Sequence, residues 1–349
     1  MKRKASNGEP RATLGTLAEH LSLSKTTVSV VISGSPAAKS IPPKTRARIL
    51  EAARELHYRP HYLARSLRRN RTMSVGVIVP ELGEGYFTLV MNGVEQHLVS
   101  QHYFYFTASH YWKPDLLEKY PRMLLERAVE GLLLVNTPLP DDVDVPIVSV
   151  SGHKAAKNVT NVVLDHERAA VLALRHLRDL RHRRIAFMRG QNFTADTDER
   201  WQSIVRTARE MGLAIDPAIC MTLEANTWSP QLGYEPVTEL LRHRRDFTAI
   251  FCFNDTSAFG AIRALRDVGL RVPEDISVIG FDDVVGARFT TPSLTTVRQP
   301  LFEMGRAAAE ILLRRIAHPS ARCPAQIVMQ PELMVRESTS QARSLAKTA

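Results

Sequence analysis

Four side chains near the amino terminus carry groups that suit contact with the edges of DNA bases: Lys25, Thr26, Ser29 and Val30. The ammonium and hydroxyl groups can hydrogen-bond to bases, and these side chains are short or flexible enough to leave a helix close to the groove floor. The methyl groups of Val30 could meet a thymine methyl. Each residue alone is more often part of a solvated helix surface, so the interpretation depends on the surrounding pattern.

Three short helices are predicted to position these side chains. Thr13 and Ser24 are suited to cap helices that start directly after them, and Val28 and Val31 share the buried face of the second helix. A third helix is predicted over about residues 44–57. Two short amphipathic helices joined by a turn, followed by a third, form a helix-turn-helix arrangement. Residues 1–58 are therefore predicted to be an all-α DNA-binding headpiece.

The charge distribution points to the same end of the chain. Residues 1–72 hold 15 Lys and Arg against 4 Asp and Glu, whereas residues 73–349 hold 31 against 32. A basic head on a neutral body is typical of a protein that meets a polyanion with one end. Lys44 and Arg46 are expected to bind DNA phosphates, as are Thr13 and Ser24 at the helix starts. A basic, solvated tail is the alternative explanation for the charge.

Residues 59–72 are predicted to form a hinge. Leu63 and Leu67 lie four residues apart and form an apolar stripe among arginines. An apolar wedge flanked by Arg is typical of elements that kink DNA from the minor groove. So short a helix is marginal in water without a partner. A basic interdomain linker remains the alternative.

Residues 73–349 alternate between apolar runs and helical patterns, which indicates α/β units with parallel sheets. Strands are predicted over residues 74–79, 103–107, 132–135, 147–150, 184–188, 249–253 and 276–280, and helices over 87–100, 166–180 and 256–268. The new start near Arg184 indicates two similar lobes. We expect the first lobe at 73–168 and 298–325, the second at 169–297 and 326–340, and a flexible tail at 341–349.

Polar residues follow several predicted strands, where ligands of open α/β sheets bind. They are Asn136, Asn254, Asp255, Asp282 and Asp283. Their acceptors and donors suit hydroxyl-rich ligands, Tyr86 and Trp228 could stack on a ring, and Arg200 could form a bidentate clamp. The alternatives are that Asn254 and Asp282 cap helices and that Trp228 lies in the core. Asp165 fits an interlobe contact as well as a ligand contact.

Other function classes are disfavoured. The chain has no dinucleotide-binding, P-loop, nucleophile-elbow or HExxH motif, so neither an enzyme nor a cofactor is expected. Cys220, Cys252 and Cys323 lack metal-ligand spacing, which favours buried thiols. No run is apolar enough to cross a bilayer, and no signal peptide is evident. We therefore expect a cytoplasmic protein, located at the nucleoid.

The order of these patterns resembles the lactose-repressor/galactose-repressor (LacI/GalR) family of bacterial transcription regulators over nearly the whole chain. The segments that carry the resemblance are 13–34, 44–67, 75–80, 86–87, 180–186, 253–255, 269–275, 280–283 and 292–297. The resemblance implies a periplasmic-binding-protein-like effector domain behind the headpiece. The sequence departs from the family at Val30, where many members have Arg. It also departs in the loop at 34–43, which is longer than in the family's prototype.

The resemblance also implies roles for individual residues. Its major-groove reading positions fall on Lys25, Thr26, Ser29 and Val30, and its minor-groove hinge positions on Ala64, Arg65 and Leu67. Its effector positions fall on Tyr86, Phe87, Asn136, Arg200, Trp228, Asn254 and Asp282. Ser151 stands where an Asp is common.

Two functions fit these patterns. A homodimeric repressor would place two headpieces on a pseudo-palindromic operator. An effector, expected to be a sugar or sugar derivative with a purine as the alternative, would control its affinity. The other candidate is a transport-type sugar-binding protein, which shares the two lobes. The basic head argues against it, and salt-dependent DNA binding would separate the two.

Overall fold

The structure is a computed structural model that describes residues 12–58, 71–83, 85–141, 143–191, 194–224 and 229–343. The chain divides into two compact units, Met1–Thr72 and Met73–Ala349. The predicted hinge residues Ala64, Arg65 and Leu67 and the predicted stacking residue Trp228 lie outside the described residues. Among the described residues, no helix is both long and apolar enough to cross a membrane.

The first unit contains the three predicted helices: α1 (Leu14–Leu21), α2 (Lys25–Ile32) and α3 (Pro43–Glu55). Oγ1 of Thr13 accepts a hydrogen bond from the Thr16 amide, and Oγ of Ser24 accepts one from the Thr27 amide, each at 3.1 Å. Both predicted caps are therefore confirmed. The core formed by the three helices consists of Leu17, Ala18, Leu21, Val28, Val31, Ile49 and Ala52.

The longer loop between α2 and α3 has its own structure. Residues Pro36–Ser40 form a 3₁₀ helix capped by Ser35. Ala38 and Ile41 pack against the core of the unit. The loop then enters α3 through Pro43, whose missing amide and fixed φ suit the first turn of a helix.

The second unit contains two six-stranded sheets. Their strands are β1 (Ser74–Val79), β2 (Phe104–Ser109), β3 (Leu132–Val135), β4 (Ile147–Val150), β5 (Val159–Leu164), β6 (Ile185–Arg189), β7 (Cys220–Thr222), β8 (Ala249–Phe251), β9 (Ser277–Asp282), β10 (Thr295–Arg298), β11 (Gln326–Met329) and β12 (Glu332–Met334). The first sheet has the order β11-β5-β4-β3-β1-β2, and the second has the order β12-β10-β9-β8-β6-β7. The pairings are parallel except that of β12 with β10. The predicted two-lobe α/β fold with parallel sheets is confirmed.

Helices cover both faces of each sheet, as the unbroken apolar strands require. The first sheet is flanked by α4 (Tyr86–Ser100), α5 (Pro114–Glu126) and α10 (Leu301–Ala317); the second by α6 (His166–Asp179), α7 (Ala195–Glu210), α8 (Gln231–His243) and α9 (Asp255–Asp267). Alternate residues of β6 serve different cores. Ala186 and Met188 join the core under α8 and α9, whereas Ile185 and Phe187 join the one under α6 and α7. This is the two-residue period of a strand that is buried on both faces.

The chain passes between the two lobes at three points. They lie between β5 and α6 at Asp165, between β10 and α10 at Gln299 and Pro300, and between β11 and β12 at Gln330 and Pro331. The expected assignment of 326–340 to the second lobe is wrong at its start, because β11 pairs with β5 in the first sheet. The strand is half exposed, with burial alternating along it, so its sequence alone does not select a sheet.

Candidate functional site

The headpiece positions the expected base-reading side chains at the start and middle of α2. Lys25 and Thr26 are exposed, and Ser29 and Val30 are partly exposed. Lys44 and Arg46 lie in the first turns of α3. Because Thr13 and Ser24 use their hydroxyls as helix caps, any phosphate contact at these positions would add to a capping role.

Residues at the carboxyl ends of three strands in the second unit have positive φ angles. Asn136 follows β3 with φ of 44°, Ser151 follows β4 with φ of 59°, and at the end of β9 Asp282 and Asp283 have φ of 118° and 58°. Such values are uncommon for residues other than glycine and cost energy that the surroundings must supply. Strain of this kind clusters at binding sites, so these strand ends are candidates for one.

Arg200, in the second turn of α7, is the buried cation of this region. Its Nη1 donates a 2.6 Å hydrogen bond to the carbonyl oxygen of Phe253, and its guanidinium carbon lies 3.8 Å from the ring centre of Phe281 and 4.5 Å from that of Phe253. Its Nε has no hydrogen-bond partner among the described residues. A planar cation held this way can offer donors to a ligand without changing its position.

Two buried carboxyl groups lie on neighbouring second-lobe elements. Asp255 accepts hydrogen bonds from the hydroxyl of Thr296 at 2.6 Å and from the amide of Val284 at 2.8 Å. Burial raises the pKa of Asp255 well above its ordinary value, and the charge of Asp282 raises it further. Burial also raises the pKa of Asp282 to about 7, although Arg200 and Gln299 act against this. Asp255 thus holds the loop after β9, and Asp282 stands at its start.

The aromatic pair at the start of α4 divides into two roles. The hydroxyl of Tyr86 lies 2.6 Å from Oγ of Ser151. Burial raises the pKa of Tyr86 above its usual range, and the charge of Asp196 raises it further. Phe87 instead lies in the hydrophobic core of the first lobe with 2% of its surface exposed, edge-on to the ring of Tyr86. Phe87 is therefore a core residue that packs against the ring of Tyr86.

The two asparagines of the expected site differ in their partners. Oδ1 of Asn254 accepts a 2.8 Å hydrogen bond from the amide of Ser257 and so caps α9, which is the alternative role considered from the sequence. Oδ1 of Asn136 is buried and has no hydrogen-bond partner among the described residues. A buried amide oxygen without a donor is an acceptor that a ligand can use.

Sequence reasoning missed a cluster formed by His153, His166 and Asp196. Nε2 of His153 and Nε2 of His166 lie 2.7 and 3.2 Å from the same oxygen of Asp196, Oδ1. Oδ2 of Asp196 lies 3.7 Å from Nη2 of Arg200. The available signals were the position of His153 just after a predicted strand and the spacing of Asp196 and Arg200, four residues apart on a helix.

The charges in this cluster stabilise one another. Burial raises the pKa of Asp196, but the neighbouring His166 and the hydrogen bond from His153 outweigh it and hold that pKa below its usual range. Burial lowers the pKa of His153, but the hydrogen bond to Asp196 outweighs this and raises it above its ordinary value. Since His153 follows β4 in the first lobe and Asp196 lies in the first turn of α7 in the second, the cluster joins the two lobes.

Comparisons with known proteins give a consistent picture. Residues 174–339 match the periplasmic binding protein-like domain family. The chain is 34% identical over 338 residues to the HTH-type transcriptional repressor PurR of Haemophilus influenzae strain Rd, covering 94% of this chain and 98% of that one.

Solved structures agree with the sequence comparison. The complex of transcriptional regulator CelR with cellobiose is 29% identical, with a TM-score of 0.70 over 94% of this chain and all of the other. The lac repressor dimer bound to operator and the anti-inducer ONPF has a TM-score of 0.81 over 95% of this chain and all of the other, and at 23% identity it supports the fold alone.

Proposed function

The chain belongs to the LacI/GalR family of bacterial transcription regulators, and on that basis we propose that it represses transcription by binding an operator through its headpiece, under the control of a small molecule bound between its lobes. The observation that carries the proposal is that Tyr86 of the first lobe lies within electrostatic reach of Arg200 and Asp282 of the second. The two lobes thus offer a fixed cation and a carboxyl group beside an aromatic ring, and Asn136, at a strand end of the first lobe, adds a buried acceptor that lacks a donor among the described residues.

These groups favour an effector rich in hydroxyl groups. Carboxylate and amide oxygens accept hydrogen bonds, and a polyol or sugar derivative supplies several donors at once. Tyr86 offers an aromatic ring beside them, suited to the apolar face of a sugar. Arg200 can donate to a ring oxygen or to an acidic substituent. A sugar or sugar derivative is therefore the effector class we propose, with a purine as the second class to be tested.

An effector would control DNA binding through the arrangement of the two lobes, which are joined by the three crossings. An effector that contacts both lobes binds one lobe arrangement more tightly than another. Only such a difference in affinity can shift the equilibrium between the two arrangements. In a homodimer, two headpieces would occupy successive major grooves of a pseudo-palindromic operator. Lys25, Thr26, Ser29 and Val30 would read base edges. Residues 59–72 would link each headpiece to its effector domain, with Leu67, Ala64 and Arg65 at the minor groove.

The test uses the full-length protein. Selection from a random duplex library should enrich a pseudo-palindromic sequence, and the affinity for it should fall steeply between low and moderate salt, because bound phosphates release counterions. A thermal-shift screen of sugars, sugar acids and purines should then identify an effector that also changes operator affinity. Equal affinity for all duplexes, with and without the screened compounds, would contradict the proposal. If the protein binds one of the compounds but no duplex selectively, the result would favour a transport-type binding protein.

A further inference from the structure

Three side chains from three segments meet where the two lobes touch. His153 comes from the loop after β4, His166 is the first residue of α6 beyond a crossing, and Asp196 lies in the first turn of α7. One ligand-type atom from each lies within 4.8 Å of those of the other two. Two imidazoles and a carboxylate are therefore close enough to share one small partner.

The cluster is shielded from solvent. His166 and Asp196 are 6% and 5% exposed, and the ring of His166 stacks on Phe281 with its centre 6.4 Å away. A buried carboxylate needs compensating positive charge, because taking an unpaired charge out of water costs much free energy. The groups around the carboxylate of Asp196 are the two imidazoles, at 2.7 and 3.2 Å from Oδ1, and the guanidinium of Arg200, at 3.7 Å from Oδ2.

The hydrogen bonds within the cluster do not satisfy all of its atoms. Nδ1 of His166 is buried and has no partner among the described residues, although Nε2 of the same ring lies 3.2 Å from Asp196. His166 therefore has donor or acceptor capacity that its described neighbours do not use, and its Nε2 is the nitrogen that faces Asp196.

We propose that His153, His166 and Asp196 bind a divalent transition-metal ion of the zinc class between the two lobes. Imidazole nitrogen and carboxylate oxygen suit Zn²⁺, whereas Mg²⁺ and Ca²⁺ favour oxygen ligands alone. Bonds of about 2.0–2.2 Å at tetrahedral angles place ligand atoms roughly 3.4 Å apart. The observed separations of 2.7 and 3.2 Å require only a small outward movement of the side chains.

The charges around the cluster permit a cation there. The positive charge of Arg200 opposes the binding of a cation, since its Nη2 lies 3.7 Å from Oδ2 of Asp196. However, Nη1 of that guanidinium is bound to the carbonyl of Phe253, and Oδ1 of Asp196, on the histidine side, remains the metal-facing oxygen. Glu199 adds negative charge nearby. Three protein ligands leave a fourth position for water or for an oxygen of a bound effector.

A metal ion at this point would act as a cross-link between the lobes, because His153 belongs to the first and Asp196 to the second. It would favour the lobe arrangement in which the three ligands meet, and any effector that favours the same arrangement would bind more tightly in its presence. Metal binding itself does not depend on the proposed operator or effector function.

The experiment titrates metal-stripped full-length protein with ZnCl₂ by calorimetry and with CoCl₂ by visible absorption. We expect one Zn²⁺ per chain and a Co²⁺ ligand-field spectrum with low coordination number. His153→Gln and Asp196→Asn should each weaken Zn²⁺ binding by roughly 10-fold or more, and His153→Gln should abolish the Co²⁺ spectrum. The matched control is His243→Gln, because His243 is an exposed histidine paired with Glu239, and it should leave both readouts unchanged.

Circular dichroism of each variant separates lost binding from lost folding. His153 is the decisive position, because its side chain is 18% exposed and its substitution disturbs packing least. Wild-type protein that takes up no stoichiometric Zn²⁺, or a folded His153→Gln variant that binds Zn²⁺ as tightly as the His243→Gln control, would overturn the proposal. In both cases any residual uptake would be adventitious binding only.

Discussion

The side-chain amide of Gln299 donates a 2.6 Å hydrogen bond to Oδ1 of Asp282, and this bond ties one of the interlobe crossings to the carboxyl end of a central strand. Both residues are buried, and Oε1 of Gln299 has no partner among the described residues. Any movement of the lobes must bend the crossing that contains Gln299. A ligand that binds Asp282 therefore acts on a residue that is hydrogen-bonded to this crossing.

The raised pKa of Asp282 predicts a specific pH dependence of stability. Between its ordinary pKa of 3.8 and about 7, the folded protein holds a proton that the unfolded chain has lost. Its contribution to stability is therefore complete below pH 3.8 and disappears as the pH rises to about 7. Asp282→Asn removes this slope, which is worth roughly 1 kcal/mol per pH unit, while keeping an acceptor for Gln299.

Thermal unfolding at pH 5 and pH 8, without effector, tests this expectation. The wild-type midpoint should fall more than that of Asp282→Asn, so the variant gains relative stability at pH 8. Parallel changes of the two midpoints would contradict a raised pKa at this position. In addition, the variant should lose its response to the effector while keeping operator affinity in the absence of effector.

Arg200→Lys should destabilise the second unit by about 2–4 kcal/mol. An ammonium group cannot stack on both Phe253 and Phe281 while bonding to the Phe253 carbonyl, and it leaves Asp196 with a weaker partner. Urea unfolding measures the loss. The control is Arg206→Lys on the same helix, where the arginine is half exposed and paired with Glu167, so a change near zero is expected. Equal effects of the two substitutions would rule out the buried role of Arg200.

Gly93 and Gly305 let α4 and α10 approach closely. A Cβ on Gly93 would lie 2.0 Å from the carbonyl oxygen of Phe302, and one on Gly305 would lie 2.0 Å from that of Val90. Gly93→Ala must therefore push two helix backbones apart, at a cost of about 1–3 kcal/mol or more. Gln96→Ala, at an exposed position of the same helix, is the control. If Gly93→Ala unfolds at the same urea concentration as that control, the close helix contact does not exist in solution.

Lys44→Ala should weaken operator binding mainly through electrostatics. If Lys44 contacts a phosphate, its loss reduces the slope of log affinity against log salt by about 0.9 for each contact removed. Fluorescence anisotropy over a range of salt concentrations gives both slopes. Arg54→Gln is the matched control, because Arg54 is exposed at the other end of α3 and paired with Glu51. An unchanged slope in Lys44→Ala would remove this residue from the DNA interface.

Local signals made much of the fold predictable. The capping residues Thr13 and Ser24 define where α1 and α2 begin, and both starts agree with the structure. The predicted strands at 74–79, 132–135 and 147–150 match β1, β3 and β4, because strands buried on both faces have continuous apolar sequences. These features depend on neighbours in sequence, so sequence is sufficient to find them.

The features that were missed depend on distant pairing. β5 (Val159–Leu164) carries a threonine and an asparagine that interrupt its apolar run, and β11 is too exposed for its sequence to indicate a partner. His153, His166 and Asp196 are individually ordinary, and only the crossing after β5 brings them together. Asp165 is equally context-dependent: it caps α6 and accepts a 3.4 Å hydrogen bond from Gln330 at another crossing.

The return of α10 and β11 to the first sheet determines the order in which the lobes can be completed during synthesis. A ribosome that has reached Arg298 has produced most of the first lobe's strands, but neither the helix that packs on α4 nor the last edge strand. Only α4 is then available to cover the apolar face that α4 and α10 share in the finished lobe, so that face stays partly uncovered until α10 has emerged. The headpiece core, in contrast, lies entirely within the first residues to leave the ribosome. Growing chains thus carry their complete DNA-facing end long before either lobe is finished.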